Sequence, residues 1–198
     1  MPGKSQRTDS IRVFVCIEVP APIQQRIGGL QAQLRATGVQ ISWTKASNIH
    51  LTIKFLGDVA TSRIPAITEG INKAASVIGS FKIEVAGTGC FPSERNPRVL
   101  WVGIREVPDA LKQLHSSIEN ELASRGFARE PKKFSPHLTI GRVRNPQGAS
   151  GLAQELIATG FEAEEFNVSA VTLMQSKLNP AGSIYTPISH VHLSIADF

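Results

Sequence analysis

One tetrapeptide occurs twice in this chain. His50-Leu51-Thr52-Ile53 returns unchanged as His137-Leu138-Thr139-Ile140, 87 positions further on (137 − 50). Side chains alternate between the two faces of a strand. Each copy therefore sorts an imidazole and a hydroxyl onto one face and two aliphatic side chains onto the other. The aliphatic face demands a core beneath it. The polar face has an identical face elsewhere in the chain to meet.

The duplication extends past the motif. Val19-Pro20-Ala21-Pro22-Ile23 aligns with Val107-Pro108-Asp109-Ala110-Leu111 at an offset of 88, which also carries Leu30 onto Ile118 and Leu34 onto Leu122. Phe81-Lys82-Ile83 matches Phe166-Asn167-Val168 at an offset of 85. Each half reads strand, proline-started helix, motif strand, helix, strand. A period this long marks a duplicated lobe and not a solenoid repeat. The expected fold is α+β: two pseudo-symmetric lobes of antiparallel sheet with outer helices, and a cleft between them carrying both His-x-Thr-x motifs. Residues 1–10 read as a flexible N-terminus, and 11–198 as a single bilobal domain.

The remaining elements follow from local pattern. Arg12–Val19 is β-branched and aromatic, the composition of a buried strand. A helix through about Ala36 carries the stripe Ile23, Ile27, Leu30 and Leu34, and one from Pro108 to Arg125 carries Leu111, Leu114, Ile118 and Leu122. Further helices are expected over Arg63–Ile78 and Leu152–Ala158. Strands are expected over Val39–Lys45, Phe81–Ala86, Val99–Ile104, His137–Val143, Phe166–Leu173 and Ile184–Ile195. Gly87–Arg98, with Arg95 and Arg98, reads as a loop, as does the segment carrying Lys132 and Lys133 before the second motif.

Two histidines near neutral pKa divide acid and base roles between them. A hydroxyl beside each donates to a phosphoryl oxygen where charge grows in the transition state. That arrangement suits hydrolysis of a phosphodiester, with all its chemistry supplied by side chains, so no cofactor is expected. Two histidines without nearby carboxylates or thiolates also fall short of the three protein ligands a catalytic zinc usually takes. A single His-x-Thr segment is more often just a strand with a polar outer face. Two identical copies at matched positions of a duplicated lobe reverse that judgement. His115 falls on a helix surface. His192-Leu193-Ser194-Ile195, with His190 just before it, mimics the motif but lacks the preceding helix, and stands as the decoy.

A net charge of +5 and a pI near 9.5 fit a polyanionic or phosphorylated partner without specifying one. Cys16 and Cys90 lie in apolar stretches without metal-ligand spacing and read as buried thiols of a reducing compartment. No apolar run approaches the roughly 20 residues of a membrane span, and the N-terminus lacks a signal-peptide core. A cytoplasmic monomer without membrane contact is the expectation.

The motifs with their flanks resemble the 2H phosphoesterase superfamily, and within it the RNA 2′,3′-cyclic phosphodiesterases, the LigT-like group also called bacterial and archaeal 2′-5′ RNA ligases. His50 to Asp58 is similar to the first signature with its Phe-Leu-Gly continuation. Phe91-Pro92 with Pro97 to Gly103 is similar to a loop and strand of this branch, and Ser135 to Arg142 to the second signature with its following basic residue. The resemblance implies opening of a 2′,3′-cyclic phosphate, on an RNA end or a cyclic nucleotide, to a 2′-phosphomonoester without metal or nucleotide. It makes His50 the proton donor, His137 the proton acceptor, and Thr52 and Thr139 the holders of the phosphoryl oxygens. It makes Arg142 a phosphate contact. Strict alternation sets Arg142 opposite the face of His137, so a strand end or bulge near Gly141 is required to turn it into the cleft. Lys54 shares the face of His50 by the same alternation and is a second candidate substrate contact. The alternatives are a 2H enzyme acting on a small cyclic nucleotide or ADP-ribose cyclic phosphate, and an RNA-binding module without turnover. Intact histidines and threonines in both motifs argue against the latter. Whether the reverse 2′-5′ ligation also runs is left open by the residues.

Overall fold

The two motif strands lie side by side at the middle of the molecule. The computed structural model describes residues 9–180 and 182–194; most of the expected N-terminal lead-in, and Ile195 of the expected last strand, lie outside these. Its strands are β1 (Ser10–Glu18), β2 (Ile41–Trp43), β3 (His50–Ala60), β4 (Phe81–Phe91), β5 (Val99–Arg105), β6 (His137–Val143), β7 (Glu164–Val168), β8 (Ala170–Lys177) and β9 (Ile184–His192). The helices are α1 (Ala21–Arg35), α2 (Ile64–Ala75), α3 (Asp109–Ser124) and α4 (Ala149–Thr159). The strands form one sheet in the order β7-β4-β5-β6-β3-β1-β8-β9, with β2 added on β6. Every named strand pair is antiparallel.

This order is symmetric about its centre. β6 and β3 meet there, β5 and β1 flank them, and β4 and β8 come next. Leu51 of β3 pairs with Leu138 of β6. These are equivalent residues of the two motifs, so a local two-fold axis passes between them.

The outer strands depart from the sequence reading in three ways. Phe81–Ile83 and Phe166–Val168, aligned at an offset of 85, are hydrogen-bonded neighbours in the sheet and not equivalents: Phe81 pairs with Val168 and Ile83 with Phe166. The strand expected over Phe166–Leu173 is two strands. The chain leaves β4 at Ser169 and crosses to pair β8 with β1. Each half thus lends a strand to the other, since β4, which follows the first motif, pairs with β5 of the second half, while β8, late in the second half, pairs with β1. β4 also runs on to Phe91, into the first part of the loop expected over Gly87–Arg98. Gly87 at φ 70 lies within a register shift between Val85 and Thr88 that lets the strand continue.

The helices form as their stripes require. Pro20 and Pro108 stand at the N-cap positions of α1 and α3 with ψ 145, handing extended chain to helix. Both apolar stripes are buried, with Ile27, Leu34, Leu111, Leu114, Ile118 and Leu122 all at 0% exposure. They join Leu51, Ile53, Leu138 and Ile140 in one core. At roughly 1.5–3 kcal/mol per fully buried aliphatic side chain, this layer holds the motif strands in register. Among the described residues, no helix is long and apolar enough to cross a membrane.

Candidate active site between the motif strands

The antiparallel register that sets Leu51 against Leu138 has a direct consequence. Carried one residue either way, it places His50 across from Thr139 and Thr52 across from His137. The aliphatic partners point down into the core, and all four polar side chains remain half-buried on the opposite face. Over their first six residues the two strands show the same burial sequence, ending in two consecutive buried positions and an exposed one.

Those consecutive buried positions are bulges. Cys16 pairs with Thr52 and Val15 with Lys54, leaving Ile53 without a partner on β1. Trp101 pairs with Thr139 and Leu100 with Gly141, leaving Ile140 without one on β5. An extra residue in a strand reverses the alternation beyond it. Arg142 accordingly joins His50, Thr52 and Thr139 in lining a cavity of about 220 Å³, as does Phe55, its equivalent in the first motif (142 − 55 = 87). The condition that the sequence placed on Arg142 is met by the bulge at Ile140.

The same reversal removes Lys54 from the site. Its side chain is 2% exposed and forms an ion pair of 2.7 Å with Glu119 of α3, on the helix side of the sheet. Its ammonium also donates to the Ala128 carbonyl at 2.8 Å. Lys54 is a buried structural charge, and its assignment as a substrate contact is corrected.

Gln31 of α1, absent from the sequence reading, secures the second bulge. It is 3% exposed, and its Nε2 donates to the carbonyls of Ile140 at 2.8 Å and Thr44 at 2.7 Å. The Thr44 amide donates to the Ile140 carbonyl as well, at 3.0 Å. The carbonyl at the bulge is thereby satisfied by two donors, as a buried carbonyl must be.

Both histidines are oriented in one way. His50 Nδ1 donates to the Asn48 carbonyl and His137 Nδ1 to the Ser135 carbonyl, each at 2.7 Å. A carbonyl only accepts, so Nδ1 carries the hydrogen and Nε2 is left for proton transfer. Their walls differ. His50 stacks on Phe14 at 4.7 Å and meets the edge of Tyr185 at 5.3 Å. His137 meets Phe91 at 5.0 Å, with Trp101 beyond it at 6.5 Å. His137 does not itself line the cavity, but it acts electrostatically on His50 and is acted on by Arg142. Burial, the largest effect, lowers the pKa of each imidazole below its ordinary value. The carbonyl bonds oppose this for both, Glu18 opposes it further for His50, and Arg142 reinforces it for His137.

The remaining candidates stand apart. His190 of β9 lies 3.3 Å from Glu18 and takes part with it in a hydrogen-bonded group around Thr172. His192 is exposed at the end of β9. His115 stacks on Phe134 at 4.0 Å in a separate hollow that Lys133 also lines. Arg95, Arg98 and Lys132 line neither. Cys16 is buried, and its thiol pKa is pushed far up by that burial. Among the described residues, no group of three or more histidine, cysteine or acidic side chains is placed to hold a metal ion. Sequence reasoning missed Glu18, Gln31, Phe55 and Tyr185. Phe55 alone carried a signal, its alignment with Arg142.

The profile of the LigT like Phosphoesterase family matches this chain twice, over residues 17–101 and 102–185, one match for each motif. The chain is 33% identical to the RNA 2′,3′-cyclic phosphodiesterase of Methanothermobacter thermautotrophicus over 178 residues, spanning 89% of this chain and 95% of that protein. It is 34% identical to the RNA 2′,3′-cyclic phosphodiesterase of Thermotoga maritima over 176 residues, or 88% and 91% of the two chains. Among solved structures, TT0787 of Thermus thermophilus superposes with a TM-score of 0.80 at 22% identity, covering 94% of this chain and all (100%) of the other, a likeness of fold. The E. coli LigT apo structure superposes with a TM-score of 0.71 at 25% identity, covering 94% and 99%.

Proposed function

Because the chain belongs to the LigT-like phosphoesterases, we propose that it is an RNA 2′,3′-cyclic phosphodiesterase, opening cyclic phosphate ends to 2′-phosphomonoesters by acid/base catalysis between two histidines. The observation that carries this reading is the pairing of Leu51 with Leu138, which gathers both His-Thr pairs about one axis.

His137 Nε2, neutral, takes a proton from water as its oxygen attacks phosphorus. His50 Nε2, protonated, gives its proton to the 3′ oxygen as the P–O3′ bond breaks. The product retains phosphate on the 2′ oxygen. One proton enters and one leaves, so the histidines end with exchanged states and solvent restores them. Thr52 and Thr139 donate to the non-bridging oxygens, where charge accumulates. Arg142 in the same cavity offers a guanidinium to the phosphate, a geometry suited to two parallel hydrogen bonds. The proposed reaction routes no step through a metal.

The test is product identification by phosphorus NMR with 2′,3′-cyclic AMP in the presence of EDTA. The expected product is 2′-AMP. Exclusive 3′-AMP would overturn the assigned roles, and loss of turnover on chelation would overturn the metal-free mechanism.

A further inference from the structure

Identical tetrapeptides about a local two-fold axis present equivalent histidines, yet the proposed reaction asks opposite protonation states of them. The difference must come from outside the motif, and strand register identifies where. Across from His50 on β1 stands Glu18. Across from His137 on β5 stands Gly103. A side chain would be crowded there, because a Cβ on residue 103 would lie 3.0 Å from the Ala86 carbonyl oxygen and 3.2 Å from the Trp101 ring. Glu18 is held in place: Thr172 Oγ1 donates to its Oε1 at 2.6 Å, with His190 Nδ1 3.3 Å away. Beyond the bulges the contrast has the other sign, since Arg142 occupies the position that Phe55 occupies near His50.

We propose that Glu18 is the positioning residue that makes His50, and not His137, the proton donor of this site. Its carboxylate, fixed by Thr172 and directly across the strand from His50, favours an imidazolium there; the glycine across from His137 offers none. The proposal rests on the two-histidine reading above.

The groups around His50 come from every neighbouring strand. β1 brings Glu18 and the neutral Phe14 ring, β9 brings Tyr185 and, through Glu18, His190, and β6 brings His137 and Arg142. Arg12 of β1 lines the same cavity. Of these groups His137 disfavours a protonated His50, and Glu18 is the carboxylate that favours one. Burial is the largest influence on His50 and lowers its pKa; the Asn48 carbonyl and Glu18 work against it. On His137 the Ser135 carbonyl opposes burial while Arg142 adds to it.

Ring-proton NMR titration of the full chain tests this in the wild type, Glu18→Gln and Glu18→Asp. Signals are assigned by their loss in His50→Ala and His137→Ala. Glutamine keeps an acceptor for Thr172 and removes only the charge; aspartate keeps the charge. In Glu18→Gln the His50 midpoint moves to lower pH while that of His137 stays, and Glu18→Asp retains the wild-type order. The alkaline limb of kcat/KM for 2′,3′-cyclic AMP follows His50 downward. An unmoved His50, an equal movement of both histidines, or an aspartate variant behaving like glutamine overturns the proposal. The titration needs no turnover. A chain that opened no cyclic phosphate would refute the proposed function and still answer this question.

Discussion

Lys54 and Glu119 form an ion pair of 2.7 Å beneath the first motif strand, with side chains only 2% and 6% exposed. The second carboxylate oxygen of Glu119 accepts from the Glu130 amide at 3.2 Å, and Lys54 also holds the Ala128 carbonyl. The pair therefore ties β3 to α3 and to the loop that follows it. Removing one partner strands the other in the core, a loss of about 3–5 kcal/mol. Lys54→Met is expected to lower urea stability by that order while leaving KM for 2′,3′-cyclic AMP unchanged. Lys54→Met with Glu119→Leu recovers much of the loss. A raised KM at unchanged stability would return Lys54 to the substrate.

The four motif side chains are separable by magnitude. His50→Ala and His137→Ala are each expected to abolish turnover with an unchanged circular dichroism spectrum. Thr52→Ala and Thr139→Ala each lose about 100- to 1,000-fold in kcat, the usual cost of one donor to a developing oxyanion. His192→Ala, at the exposed end of β9, leaves kcat intact. If His192→Ala were inactive and His137→Ala active, the site would lie elsewhere.

What the sequence showed and what it hid divide along one physical line. The motif strand His137–Val143 and the stripes of α1 and α3 are periodic within a single segment, and they emerged as read. The bulges at Ile53 and Ile140 are relations between two strands; Gly141 and Arg142 pointed to the second, and no residue within β3 announced the first. Strict alternation consequently assigned Lys54 to the cleft, which the structure reverses, and admitted Arg142 there only through an irregularity, which the structure supplies. The repeat held a clue: at an offset of 87, Lys54 aligns with Gly141 and Phe55 with Arg142. A cleft contact matched to a glycine was the weaker candidate. A Cβ on Gly141 would lie 2.7 Å from Ile41, so the residue faces packed protein. The change of partner strand at Ser169 was hidden for the same reason, because only β4 and β1 distinguish β7 from β8.

Gln31 reaches substrate only through the bulge it secures. Gln31→Met removes one of the two donors to the Ile140 carbonyl, the Thr44 amide being the other, and is expected to loosen the bulge that turns Arg142 into the cavity. Arg142→Ala is expected to raise KM and lower kcat/KM, and Gln31→Met to do so to a smaller degree. In the double variant the two effects fall short of additive, as expected for groups acting through one element. Full additivity in a double-mutant cycle would show that Gln31 acts on stability alone.

The pH profile follows from the directions of the two histidine shifts. Burial disfavours the imidazolium at both sites, so both titrate below the ordinary value of 6.5. The active form has one histidine charged and one neutral. At pH below both midpoints His137 is protonated and takes no proton; above both, His50 is neutral and gives none. Activity therefore follows a bell. With both limbs displaced downward, its maximum in kcat/KM lies on the acidic side of about pH 6.5, the ordinary imidazole value. Rates for 2′,3′-cyclic AMP measured from pH 4.5 to 9 at constant ionic strength check this. A flat profile would rule out paired imidazoles. A maximum well above neutrality would require a group other than burial to govern their titration.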